Sequence, residues 1–137
     1  MNFNPDDLIK AVDKLSKEGL ALLDSDGNYV YLNPRHARIY GYEVEELLGK
    51  PWQTLYSEEQ RDFIGSQVMG SFAEFGEFTR ELIGKKKDGG SVIVHVSLTA
   101  LDDGKLFCVC RDITEEEKMK QRERDRLIQQ IMELKNT

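Results

Sequence analysis

The side chains best suited to metal binding, proton transfer or nucleophilic attack are two histidines and two cysteines: His36, His95, Cys108 and Cys110. Cys108 and Cys110 stand at i and i+2 of an apolar run. On a strand they point to the same side, with Cα atoms about 6–7 Å apart. That is the far limit of bridging geometry, and two cysteines are too few for a disulfide scaffold. They read as small core residues in a reducing cytoplasm. Redox sensing would need surroundings that favour the thiolate. His36 follows an Asn-Pro helix start, and His95 falls on the polar phase of an alternating strand. Both are expected in solvent. A metal site would need them to converge with the cysteines, and none is expected. Enclosed catalysis needs a paired acid and base, yet the inward strand positions are apolar.

The junction Asp112-Ile113-Thr114 offers a different chemistry. Thr114-Glu115-Glu116-Glu117 reads as a capping box, in which Thr114 accepts from the Glu117 N–H while Glu117 reaches back. Asp112 has a rival partner in the basic run Lys85-Lys86-Lys87. Two competing arrangements at a strand–helix junction make the kind of bistable element that a switch requires.

Alternating and helical patterns position these groups. Asn4-Pro5 starts a helix through Ser16 that Gly19 closes, with Leu8, Ile9, Val12 and Leu15 on its apolar face. Three Asp-Gly pairs, at 26–27, 88–89 and 103–104, mark hairpins, since both residues tolerate positive φ. They join strands Leu20–Leu23 to Tyr29–Leu32, Phe78–Gly84 to Ser91–Leu101, and that strand to Lys105–Arg111. Between the second and third strands the chain reads as helical. Asn33-Pro34 starts one short helix, and Glu43–Leu48 forms another. Ser57 to Gln60 is a capping box opening a longer helix with Phe63, Ile64, Val68, Met69 and Phe72 at helical spacing. Val92, Val94, Val96, Leu98 and Ala100 share one strand face, which packs on a core. Ile93, Leu101, Phe107 and Val109 would form an apolar patch on the outer face. The N-terminal helix, through Leu8, Ile9 and Val12, and a second subunit are both expected to cover it. The last helix runs to about Lys135, with Leu127, Ile131 and Leu134 at heptad spacing. A lone polar helix of this kind is marginal, so it is expected to pair.

This order of elements resembles the PAS family. The matching stretches are Leu23-Asp24-Ser25-Asp26-Gly27, Tyr31-Leu32-Asn33-Pro34, Tyr40-Gly41-Tyr42 with Glu45 to Lys50, Lys87-Asp88-Gly89, and Arg111-Asp112-Ile113-Thr114-Glu115. The resemblance implies an α+β fold: a five-stranded antiparallel sheet in spatial order 2-1-5-4-3 with helices on one face. It divides the chain into an N-terminal capping helix (1–18), a PAS domain (19–113) and a C-terminal signalling, coiled-coil helix (114–137). The family's hollow between sheet and helices can hold a small ligand. Aligned by motif, its walls would include Tyr40, Trp52, Phe63, Leu82, Val94, Val96, Leu98 and Cys110. The plainer alternative is that these side chains simply fill the core. The resemblance makes Asp112, Ile113, Thr114 and Glu117 the signalling junction.

The family's flavin-binding members carry a reactive Cys after the short helices, where this chain has Gly49-Lys50-Pro51-Trp52-Gln53-Thr54. Gly84, Val94 and Cys110 stand where flavin-contacting amides would, and none has the side-chain amide a flavin edge needs. Haem-binding members commonly place an axial His on the long helix, and there is none between Ser57 and Phe75. Neither cofactor is expected by those routes. A ligand is expected to be small and mostly apolar, with one polar contact from Arg80 or Tyr40.

Size and charge bound the rest. The chain has 137 residues, 39% hydrophobic and 32% charged, which suits one globular domain with flanking segments. A net charge of −6 argues against nucleic acid as the main partner. No apolar run reaches the ~20 residues of a membrane span, and the acidic start is not a secretory signal. An end inside a charged helix suggests a fragment of a longer protein. The expected function is a cytoplasmic sensory module that binds a small ligand or responds to a partner and relays through its final helix as a homodimer. Parent proteins of the family include histidine kinases of two-component systems, diguanylate cyclases, chemoreceptors and transcription regulators. The alternatives are a ligand-free dimerisation module and, more remotely, a small α+β enzyme with an enclosed cavity. The chain alone is not expected to be an enzyme.

Overall fold

The computed structural model describes Asp7, Ala11 and residues 17–136. Leu8, Ile9 and Val12, expected on the N-terminal helix, lie outside the described residues. Five strands form: β1 (Gly19–Leu23), β2 (Tyr29–Leu32), β3 (Glu77–Lys85), β4 (Ser91–Ala100) and β5 (Leu106–Asp112). They pair antiparallel in the order β2-β1-β5-β4-β3, the α+β arrangement that the resemblance implies. β5 is therefore central, held between β1 and β4.

Period-two patterning sets the two faces. Val92, Val94 and Val96 of β4 and Cys108 and Cys110 of β5 are buried under the helices. Ile93 and Val109 on the opposite face are half-buried, and Phe107 and Leu101 are exposed. The hairpin turns use Asp and Gly differently from the expectation. Only the glycines take positive φ, at 84° for Gly27, 90° for Gly89 and 85° for Gly104. Acidic side chains instead accept from backbone N–H groups: Asp24 from Asp26 and Asn28, Asp88 from Gly90, and Asp103 from Lys105. That local bonding is the usual role of Asp in turns.

The helical segment contains α1 (Pro34–Ile39), α2 (Val44–Leu47), a 3-10 turn (Trp52–Leu55) and α3 (Glu58–Phe75). Asn33 caps α1 as its sequence predicts, accepting from His36 N–H at 2.9 Å. The same oxygen accepts from Leu20 N–H at 3.0 Å, which ties α1 to β1. Ser57 precedes α3 without the side-chain cap expected of it. α3 continues through Gly65 and Gly70 and stops at Gly76, whose φ of 74° and N–H bond to Phe72 close the helix. Gly19 opens β1, and the helix expected before it lies almost wholly outside the described residues. An added Cβ at Gly19 would lie 2.8 Å from His36 Cα, so the close approach of α1 requires glycine. The final helix, α4 (Thr114–Lys135), has no buried residue.

Candidate functional site

A cavity of about 320 Å³ lies between the sheet and the helices. Its floor is Leu23, Phe78, Leu82, Val96, Leu98, Leu106 and Cys108. α1 and the residue after it contribute His36 and Tyr40; the 3-10 turn and the residue after it contribute Trp52 and Tyr56. Ile64, Val68, Met69 and Phe72 of α3 form the roof, and the Asp26-Gly27 and Gly104 turns stand at one end.

Of the residues expected in the walls, Tyr40, Trp52, Leu82, Val96 and Leu98 line this space. Val94 and Cys110 do not. Both are fully buried, and the Tyr40 hydroxyl lies 3.4 Å from Cys110 Sγ. Gly84 makes room for that ring: a Cβ there would meet Tyr40 Cε1 at 2.6 Å. Phe63 is a correction. It is 52% exposed, because α3 turns that position outward. Arg80 stacks over its ring at 5.0 Å and hydrogen-bonds Gln67, so Arg80 is not the polar contact either.

His36 is the largest departure from expectation. It is 1% exposed, not solvated. α1 is only six residues long and lies across β1, so His36, Ala37 and Ile39 form its buried face. His36 Nε2 is 3.1 Å from the Tyr29 hydroxyl, and its ring packs edge-on to Tyr29. Nδ1 has no hydrogen-bond partner among the described residues. Burial lowers the His36 pKa to about 4, so the imidazole is neutral near pH 7. Burial likewise raises Tyr29, Tyr40 and Tyr56 above the usual phenol value. These groups therefore donate and accept hydrogen bonds in uncharged forms. Tyr56 and Tyr40 form a second pair, with hydroxyls 3.4 Å apart.

Burial also pushes the cysteine thiols up, Cys110 to about 11. The thiolate that redox sensing would use is disfavoured. Among the described residues, no three His, Cys, Asp or Glu side chains gather at metal-binding spacing. None of the described helices is long and apolar enough to cross a membrane.

The junction is built differently from a capping box. Thr114 is the first helical residue, and its Oγ1 accepts from Ile93 N–H at 3.0 Å. Ile113 N–H donates to Ile93 O at 2.9 Å. Asp112 Oδ1 accepts from Thr114 N–H at 2.9 Å instead of pairing with the lysine hairpin. Lys87 pairs with Glu46. The Glu117 N–H bonds to Ile113 O, while its carboxylate meets Lys120. Thr114 thus ties α4 to β4. The intervening β5 carries Cys108 at the cavity floor and Asp112 at the junction, four residues apart.

This geometry agrees with the comparisons. The PAS domain family model matches residues 17–115, and the chain belongs to that family. It is 28% identical over 112 residues to the cell-division control histidine kinase PdhS of Brucella ovis. That match spans 78% of this chain and 11% of the kinase. The PAS domain of a Colwellia psychrerythraea protein superposes with a TM-score of 0.73 at 23% identity, covering 80% of this chain and 97% of that one. The PAS domain of a LuxR-family transcriptional regulator from Burkholderia thailandensis, in complex with ethanol, gives 0.69 at 23% identity, covering 76% and 96%. The family and its kinship to a histidine kinase support a sensory role in signal transduction.

Proposed function

We propose that residues 19–113 sense a small molecule in this cavity and that residues 114–137 carry the signal to an effector domain of a longer cytoplasmic protein. Residues 1–18 would cap the outer sheet face. The observation that carries the reading is continuity: one central strand, β5, runs from the cavity floor to the Asp112-Ile113-Thr114 tether. A ligand shifts such a tether only through different affinities for its two arrangements. In this reading the chain has no catalysis of its own; its effector would be a kinase, cyclase or transcription regulator. The buried free thiols Cys108 and Cys110 suit a reducing compartment. The exposed α4 residues Leu127 and Ile131 favour pairing of two copies, as does the outer face at Ile93, Phe107 and Val109.

Native mass spectrometry of protein purified from cells tests the sensing. The expected result is one discrete added mass, lost on unfolding and refolding. Adding it back should change amide exchange in residues 114–135. Protein with no added mass, and dimeric all the same, would instead be a ligand-free dimerisation module.

A further inference from the structure

Resting on the sensory reading of the cavity, we propose that its ligand is a small uncharged molecule with an apolar body and one hydroxyl group. That group would be bound at the Tyr29–His36 pair.

Size comes first. About 320 Å³ is at the small end of ligand cavities, which start near ~300 Å³. Charge comes second. Among the described residues no lysine or arginine lines the space, and Asp26 is the one carboxylate that does, on an exposed turn. His36 supplies no compensating charge near neutrality, because burial keeps it unprotonated. A carboxylate or ammonium group inside would be buried without a partner, which costs far more than a neutral polar group.

Hydrogen bonding comes third. A phenol hydroxyl has one proton to donate and two lone pairs. Tyr29 uses one of these three on His36 Nε2. Tyr56 likewise has a partner in Tyr40, at the long distance of 3.4 Å. Both hydroxyls therefore retain capacity within otherwise apolar walls. If His36 Nε2 carries the proton, Tyr29 is free to donate; if Nε2 accepts, Tyr29 offers only lone pairs. A ligand hydroxyl can both donate and accept, so it satisfies either tautomer. A ligand carbonyl satisfies only one.

The test uses the full chain with phenol, toluene, benzoate, hexanol and hexanoate at about pH 7.5, where the two acids are ionised. Calorimetry gives the affinities, and nitrogen NMR follows the His36 ring. Phenol and hexanol are expected to bind and to move the His36 resonances. Benzoate and hexanoate are expected not to bind. Toluene, which has phenol's shape without its hydroxyl, should bind about tenfold more weakly. Tyr29→Phe keeps the ring, and circular dichroism checks its fold. It should weaken phenol about tenfold and leave toluene unchanged. Equal binding of phenol and toluene would overturn the hydroxyl assignment while leaving the cavity a sensory site. Binding of the carboxylates would overturn the uncharged class. If no probe binds, the ligand assignment falls, and the mass of the purified protein decides whether the sensory reading falls too.

Discussion

An imidazole taken out of water loses the hydration that stabilises its protonated form, and burial is what holds His36 near 4. The consequence for stability has a definite sign. The unfolded chain binds a proton at His36 below its ordinary value of 6.5, while the folded chain resists until about 4. Stability therefore falls as pH drops through that window and changes no further below it. The window corresponds to about 3 kcal/mol. We expect denaturant unfolding to show this loss in the parent and not in His36→Leu. Glu46, Asp103 and Glu123, held low by Lys87, Lys105 and Arg126, titrate in both proteins. The difference between the two curves thus isolates His36. Parallel curves from pH 7 to 4 would mean that the histidine is wet. Little in the sequence signalled this burial. An Asn-Pro start normally places the next residues in solvent, and only Gly19, where β1 admits α1, pointed the other way.

Secondary elements were more legible, because period two and the Asp-Gly turns are local signals. All five strands lie within two residues of their expected ends, and their pairing follows the family order. Where side-chain bonds choose between near and far partners, the pattern misled. Thr114 has the spacing of a capping box, yet its hydroxyl accepts from Ile93, 21 residues away, because β4 passes beside the end of β5. Replacing it tests the tether. Thr114→Val keeps the shape and leaves the Ile93 N–H without its acceptor, a cost of about 1–3 kcal/mol. Amide exchange should accelerate at Ile93 and in the first turns of α4 beyond any change at Ile64 or Val94. Uniform acceleration through the whole domain would make Thr114 a plain stability residue and remove it from the signal path.

At the scale of the whole molecule, the unexplained surface is the far half of α4. Leu127, Ile131 and Leu134 are 46%, 54% and 74% exposed, with Ile128 and Met132 beside them. The upstream seam positions Glu117, Lys120 and Arg124 are charged, so the seam is apolar only at its far end. An isolated helix gains little from such a stripe, whereas two copies packed along it bury both. The heptad spacing was legible in the sequence; the exposure that makes pairing worthwhile needed the fold. A dimer held there has a concentration-dependent unfolding midpoint. The double variant Leu127→Asp, Ile131→Asp should then be monomeric by light scattering. Its cavity and sheet should keep the parent's near-ultraviolet spectrum, since no α4 residue lines the cavity. Phe107→Asp provides the competing measurement on the outer sheet face. If Phe107→Asp yields monomers and the helix variant stays dimeric, the two copies meet through the sheet. The final helices would then be brought together by the domains and not by their own seam.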